Sequence, residues 1–408
     1  MVNALNNYNP QFWANEALVW LKSRKGMAQR VFRRYEGERQ SFGYGDTVNF
    51  RRPTTFVAQD QATNFQDLNT GTEQMKLDIF KEVPFAVTDQ ELAYGGDRLI
   101  QEHIGPAADA LGEYIDQHLA GLFTGCPHTV DLQGAAVSGD MPATLASIRQ
   151  VMMENKVPSD GKPLHYVASP ATVARALSSS AFSQQQGAGD QGVATQNSGV
   201  IGPKFGFDWF ETTNLASVAG DDLDAADITS GAITAGISKN ATTVTLGSSA
   251  INGTPVLRKG QVIAITGTTP VGVRTEKYAV LADVAISGTT NYADVQISPR
   301  ARFEMDAGAT WTVVATTPLG TAASAEALEY TAEPIFHPNA AALIMVPLPI
   351  HGSDMGARMA VATDPDTGIS IRARMAYESR AAQVHVIYDM LCGAKLLEPD
   401  LAVRGCVY

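Results

Sequence analysis

Helical and extended periodicities alternate along the chain in a definite order. Asn9-Pro10, a capping residue with proline at the first helical position, precedes Trp13, Ala17, Trp20 and Leu21 at helical spacing, which predicts an amphipathic N-terminal helix. Thr47 to Pro53 reads as a strand. A second extended run holds Met75, Leu77 and Ile79 on one face and continues through Val83, Phe85 and Val87, so the two runs predict a long hairpin. Between them, Thr54 to Thr72 is polar and longer than the roughly 12 to 15 residues beyond which structureless loops become uncommon. A two-stranded projection is marginal in water, so it is expected to dock on a neighbouring copy or to fold back as a flap on its own domain. Thr88 with Glu91 matches a capping box, and Asp97 is a second capping candidate. Leu111, Ile115, Leu119 and Leu122 then mark a long helix face reaching Phe123, with Gly105-Pro106 expected to kink or interrupt it.

Leu145, Ile148 and Met152 predict another helix, closed by Asn155 and Pro158. A Ser159-Asp160-Gly161 turn leads to a strand from Leu164 to Ala168, and Ser169-Pro170 opens a helix through Leu177. This is an α+β or α/β module. Ser178 to Ser198, rich in Ser, Gln, Gly and Ala, is expected to be a mobile excursion. From Ile228 to Val314, Thr, Val, Ile and Gly dominate, and Thr242 to Leu246, Gln261 to Ile265 and Val295 to Ile297 alternate between turns, predicting a small all-β barrel or sandwich. It is an insertion if the chain then returns to the previous module. Ala341 to Pro347, an apolar strand, and the alternating runs Ile369 to Met375 and Gln383 to Tyr388 are read as that return.

At 408 residues the chain exceeds the roughly 250 to 300 at which one core stops growing, so two or more domains are expected. Its 45% apolar and 18% charged residues exclude a disordered chain. The longest apolar runs are about half the roughly 20 residues that span a bilayer as a helix. The N-terminal residues lack the basic start and apolar stretch of a secretory signal, so residence in a cytoplasm is expected. Cys126, Cys392 and Cys406 are widely spaced, without a CxxC pair, and read as reduced thiols. A net charge of −12 counts against a sequence-specific DNA reader. The exception is a local basic run of Lys22, Arg24, Lys25, Arg30, Arg33 and Arg34. It is either a solvated helix face or a surface toward an acidic partner or nucleic acid.

Chemical motifs are lacking. Gly187-Ala-Gly-Asp-Gln-Gly192 matches GxGxxG, but glutamines precede it and a polar run follows where a dinucleotide site needs strand and helix. No GxSxG, GxxxxGK[ST] or HExxH string occurs, and the seven histidines have no metal-ligand spacing. No catalytic, cofactor-binding or metal residue is nominated, and an enzyme is not expected.

The order of N-terminal helix, long hairpin, long helix, α/β module, β segment and terminal strands resembles the Hong Kong 97 coat-protein fold of tailed bacteriophages. Glu154 to Pro170 looks like that family's helix, proline turn, strand and proline-capped helix, and Gly202 to Asn214 is similar to its Gly-plus-aromatic strand. Leu257 to Gly267, Val295 to Arg300 and Ala342 to Ile350 resemble segments of the coat proteins of Salmonella-type short-tailed phages, which carry an inserted six-stranded barrel. The resemblance implies an α+β fold with an N-terminal arm over 1–46, an extended loop over 47–87 and a peripheral domain with a spine helix over 88–140. It further implies an axial domain beginning at 141–220, joined by 340–350, an inserted β-barrel over 221–330, and a return to the main domains over 331–408.

It implies a major capsid protein with no cofactor, forming pentamers and hexamers with itself in an icosahedral shell. Scaffolding protein, portal and non-specifically held double-stranded DNA are the other implied partners; no membrane or small-molecule substrate is. Assembly is expected in the host bacterial cytoplasm and residence in the virion capsid. Arg51, Arg52, Lys76 and Lys81 on the hairpin, with Asp222 and Asp224, are the inter-subunit candidates. The run Lys22 to Arg34 is the candidate face for scaffold or nucleic acid. The alternative reading is a carbohydrate-binding or adhesin-type virion surface protein carried by the β segment.

Overall fold

A computed structural model describes residues 10–23, 26–32, 47–51, 72–91, 97–132, 141–184, 190–218, 230–233, 236–247, 256–269, 272–285, 291–301, 304–313, 330–350, 357–364 and 368–407. The chain forms two compact units, residues 1–115 with 342–395 and residues 116–341 with 396–408. In chain order, helix α1 (Pro10–Ser23) precedes strands β1 (Thr47–Arg51), β2 (Thr72–Lys76) and β3 (Ile79–Thr88), the long helix α2 (Asp97–Leu122) and β4 (Thr129–Asp131). Next come α3 (Met141–Glu154), β5 (Leu164–Ala168), α4 (Pro170–Ser178), α5 (Ser180–Ser183), α6 (Asp190–Ser198), β6 (Pro203–Lys204), β7 (Phe207–Glu211) and β8 (Ala216–Val218). A block of strands follows: β9 (Ser230–Ala232), β10 (Thr243–Gly247), β11 (Val256–Leu257), β12 (Val262–Thr269), β13 (Gly272–Val280), β14 (Val284–Ala285), β15 (Asn291–Ser298) and β16 (Thr310–Val313). The chain ends with β17 (Tyr330–Phe336), β18 (Ala341–Val346), β19 (Ala357–Thr363), β20 (Ser370–Glu378), β21 (Gln383–Leu396) and β22 (Ala402–Val407).

In the first unit, β18, β21, β20 and β19 lie side by side, and β3 joins the sheet on β21. The apolar face of α1, with Trp13, Ala14, Ala17 and Leu21 buried, packs on β19 and β20. The expected hairpin forms only in part. β1 pairs with β2 from Thr47↔Lys76 to Arg51↔Thr72, whereas β3 leaves the hairpin after Leu77-Asp78 and runs along β21 from Ile79↔Cys392 to Thr88↔Gln383. The physical reason is ladder length: β21 offers β3 ten paired positions, twice the five that β1 offers β2. The Thr88 capping box forms, with Glu91 N donating to Thr88 Oγ1 at 3.3 Å and Thr88 N donating to Glu91 Oε2 at 2.9 Å.

Helix α2 starts at Asp97 and runs through Pro106 unbroken, contrary to the expected interruption. A proline removes one intrahelical donor, and the buried residues on either side, Ile104, Ala107, Ala108 and Leu111, hold the helix across that gap. Gly105 admits the Trp20 ring, which a Cβ there would meet at 3.4 Å.

The second unit is built on the sheet β4-β22-β17-β5-β7-β6, with β8 also paired to β17. Strand β22 lies between β4, to which it is parallel, and β17, to which it is antiparallel. Leu145, Ile148 and Met152 of α3 pack with Tyr166, Phe182, Phe207, Trp209, Ile335 and Val403. Ser169 caps α4, its side chain accepting from Thr172 N at 3.3 Å. Two expectations are corrected here. Ser178 to Ser198, read as a mobile excursion, contains α5 and α6; Gln185 to Gly189 lie outside the described residues. Phe182 is fully buried, and Lys204 Nζ donates to its carbonyl at 2.5 Å and to Thr195 Oγ1 at 2.9 Å, so one anchor residue and one outside lysine hold a segment of disorder-like composition. Ala340 to Ile350 was grouped with the Leu164 to Ala168 module. Strand β18 instead lies beside β21 in the first unit's sheet, and the strand that rejoins β5 is β17, through Ile335↔Tyr166 and Phe336↔His165.

Strands β9 to β16 form, apart from the short pair β11 and β14, a sheet in the order β10-β15-β13-β12-β16-β9. An Ile233↔Leu246 bridge joins its first and last strands, so the sheet closes on itself. The interior holds Leu246, Ile263, Ile265, Tyr278, Val280, Ile297 and Trp311. Trp311 Nε1 donates to Gly247 O at 2.7 Å, and Gly231 lies so close that a Cβ would overlap the same carbonyl. The strands that flank this block, β8 and β17, pair with each other from Tyr330↔Val218 to Ala332↔Ala216.

Candidate self-association surface

The hairpin is rooted firmly in the first unit. Val48 of β1 and Met75 of β2 face each other and are both buried, and Leu77 extends that apolar face. Lys395 Nζ donates to Gln74 O at 2.8 Å. Gly393 of β21 lies against the Lys76 carbonyl, and a Cβ there would overlap it. Of the four basic hairpin candidates, Lys76 and Lys81 are both exposed. Lys81 stacks its ammonium 4.6 Å from the Tyr114 ring on α2, so it is engaged within its own chain. Arg51 is the last residue of β1; its side chain, and all of Arg52, lie outside the described residues, as does the polar loop through 71.

A buried ionic cluster that the sequence reading missed ties β20 to β21 and reaches β3 at its partly exposed edge. Asp389 of β21 is fully buried and accepts from Arg372 Nε at 2.9 Å and Arg372 Nη2 at 2.7 Å. Arg374 Nε lies 2.6 Å from the same carboxylate, and Arg374 Nη2 reaches Glu82 of β3 at 2.5 Å. Arg372 Nη1 donates to Pro349 O at 2.8 Å. Buried charge thus holds β20 against β21, and a partly exposed pair links that cluster to β3. The signal was present in Ile371-Arg372-Ala373-Arg374-Met375, two charges at one parity of an apolar strand.

Of the basic run, Lys22 lies in α1 with its side chain outside the described residues, as are Arg24, Lys25, Arg33 and Arg34. Arg30 is half-buried and donates to Gly26 O at 3.0 Å, capping its own turn. Arg30 is thus the one residue of this run whose side chain lies within the described residues. Asp222 and Asp224 also lie outside the described residues.

Several further titratable groups are engaged within the second unit. Glu333 of β17 is fully buried and accepts from Ser169 N at 2.8 Å, Thr172 Oγ1 at 2.6 Å and Tyr166 OH at 2.8 Å; burial pushes its carboxyl up. His337 Nε2 lies 3.1 Å from Asp160, and that hydrogen bond, with further help from Lys162, lowers the Asp160 carboxyl to about 2. His128 pairs with Asp400 at 3.1 Å, and His165 with Asp208 at 3.3 Å. The three cysteines are buried and unpaired, and desolvation raises the Cys126 and Cys392 thiols to about 12 and Cys406 to about 11. Thiols in this state are poor nucleophiles. Among the described residues no cluster of three or more His, Cys, Asp or Glu could hold a metal ion, and no helix is long and apolar enough to cross a membrane.

Residues 84–228 match a protein-family model described as phage capsid protein. No curated protein matches the chain. Among solved structures, a chain of Mycobacterium phage Che8 is similar over 93% of this chain and 90% of its own, at 14% identity and a TM-score of 0.49. The capsid of cyanophage P-SCSP1u matches over 90% and 84%, at 11% identity and a TM-score of 0.44. The capsid of Myoviridae phage XM1 matches over 94% and 91%, at 8% identity and a TM-score of 0.43.

Proposed function

We infer that this chain is a major capsid protein of a bacteriophage, a structural subunit that assembles with copies of itself into the icosahedral shell around double-stranded DNA. The observation that carries this reading is the family match over residues 84–228, which takes in the second half of β3, all of α2 and the helix–strand–helix module of the second unit. In the finer form of the reading the fold is of the Hong Kong 97 type. Residues 1–46 are the arm, 47–87 the extended loop, 88–140 the peripheral domain with α2 as spine, and 141–220 the start of the axial domain. Residues 221–330 are the inserted barrel of the Salmonella-type coats, and 331–408 return to the main domains. The continuous 26-residue α2 supports the spine assignment. The closed six-stranded sheet, entered and left through the paired strands β8 and β17, supports the insertion.

Assembly then rests on repeated heterologous contacts that close into rings of five and six, joined by symmetric contacts between rings. Single contacts can be weak, because strength accumulates with the number of linked contacts. The hairpin is the principal arm of this surface: its root is held by Met75, Gly393 and Lys395, and Arg51, Arg52 and Lys76 meet acidic surface on the neighbouring copy. Scaffolding protein, portal and packaged DNA are further partners in this reading, with the basic run Lys22 to Arg34 as their contact. Assembly takes place in the host bacterial cytoplasm, and the product resides in the virion. Sedimentation velocity of the expressed chain across a range of concentrations tests the reading. Particles of hundreds of subunits are expected, and a strictly monomeric boundary at every concentration contradicts it.

A further inference from the structure

Arg404 occupies an unusual position for an arginine. It lies in β22, an interior strand of the second unit's sheet, opposite Pro334 of β17 and beside Thr129 of β4. Its neighbours Ala402, Val403, Gly405, Cys406 and Val407 are all buried, and its own exposure is 0%. No carboxylate pairs with it among the described residues. Its donors go to two backbone carbonyls: Nη1 to Thr124 O at 2.7 Å and Nη2 to Gly260 O at 2.6 Å, while Nε has no hydrogen-bond partner. The guanidinium also lies 5.7 Å from the Tyr330 ring.

The two acceptors belong to different parts of the molecule. Thr124 is in the turn that ends α2, and Gly260 is in the turn that opens β12 of the closed six-stranded sheet. The Gly260 turn is itself held in one shape. Lys259 N donates to Asp283 Oδ1 at 2.6 Å, Arg258 N to Gln261 Oε1 at 2.9 Å, and Gly260 N to Val280 O at 2.8 Å. Gly260 has φ +92°, and a Cβ there would stand 3.2 Å from Arg404 Nη1 and 3.0 Å from Val218 Cγ1. Next to this joint, Gly125 lies under Leu281, which a Cβ would meet at 2.9 Å. A planar fork with donors pointing in two directions can reach both carbonyls at once, which a single ammonium on a flexible stem or an apolar side chain cannot do. Burying a charge is costly unless its donors are hydrogen-bonded, so the two carbonyls that Arg404 reaches fix where its guanidinium can sit.

We propose that Arg404 is the positioning residue that clamps the six-stranded sheet to the spine-helix end of the second unit, so that the sheet is held at one fixed orientation in every subunit. The clamp closes only when the terminal strand β22 has inserted between β4 and β17, because Arg404 arrives on that strand. The sheet has its own core, so the clamp sets its orientation and not its internal packing. Resting on the capsid reading, the consequence for assembly is that subunits without the clamp present the sheet at variable angles and close shells poorly.

The test uses the full chain with single reporter cysteines at two exposed positions, Val273 on β13 and Met153 on α3. The three native thiols are buried, which leaves the reporters as the reactive ones. Spin-label distances in the unassembled subunit should form one narrow distribution. In Arg404→Met it should broaden at least twofold while amide exchange within β12 and β15 stays unchanged, and closed-shell yield should fall at least tenfold. Gly260→Ala, which keeps the arginine but obstructs its approach, should broaden the distribution as well, and it alone decides if Arg404→Met gives no soluble subunit. Unchanged distance widths in these variants would overturn the clamp. If the parent chain formed no shells, the capsid reading would fail while the distance measurement still decided the clamp.

Discussion

Replacing Asp389 by alanine removes the one carboxylate shared by Arg372 and Arg374. Arg372 and Asp389 form a two-point pair at 2.9 and 2.7 Å, with side-chain exposures of 9% and 0%, so water cannot replace the lost partner. Breaking such a buried pair by deleting one member costs about 3–5 kcal/mol, because the surviving charge stays desolvated. Removing Glu82 instead breaks only its contact with Arg374, whose side chains are 37% and 25% exposed, and is worth roughly 0.2–1 kcal/mol. Because 1.4 kcal/mol is tenfold in an equilibrium, Asp389→Ala should speed exchange of the β20–β21 and β3–β21 ladder amides by about a hundredfold to a few thousandfold. Glu82→Gln should change it by less than about tenfold. Hydrogen exchange read peptide by peptide is the right assay, since a chain of two compact units need not unfold in a single transition. Equal effects from the two substitutions would refute the claim that the buried charges of β20 and β21 hold this sheet together.

Phe182→Ala should cost about 3–5 kcal/mol locally and make 184–200 sensitive to limited proteolysis, since this fully buried ring anchors α5 and α6. An unchanged cleavage pattern would show that the segment is held by something else. The His337 contact depresses the Asp160 carboxyl, so its stabilising contribution is fully present above the ordinary carboxylate value near 3.8 and is lost as pH falls toward about 2. A carbon-13 titration of Asp160 should show that low midpoint and its return to the usual range in His337→Ala. Reversing Arg51 and Arg52 to Glu should leave a folded, soluble subunit with unchanged circular dichroism that forms no shells; intact particles in sedimentation would remove those residues from the interface.

Local elements were legible wherever the signal was local. The Thr88–Glu91 box, the Ser169 cap and the strand Leu164 to Ala168 all depend on neighbours in sequence, and each lies where the pattern puts it. Periodicity also identified β3 and β21 as strands but not as partners, because alternation names a face and not the chain that covers it. Pairing β3 with a strand some 300 residues away, and placing β18 in the same sheet, are outcomes of global packing. Composition misjudged Ser178 to Ser198 because a single buried aromatic outweighs its polar surroundings once Lys204 ties down its backbone. Of the candidate surface, the basic hairpin positions were readable as charges but not as contacts: Lys81 turns to Tyr114. The residues that organise the fold, Asp389, Arg372, Glu333 and Arg404, had been passed over because charge inside a strand reads as its solvent side. Only the burial of both neighbouring parities reveals otherwise.

Electron microscopy of the purified chain, expressed with and without the proteins encoded beside it, puts the central claim to the most direct test. Closed shells of uniform diameter, tiled by five- and six-membered rings of this one polypeptide, are the expected image. Fields of separate subunits at every concentration and in both preparations would contradict the account.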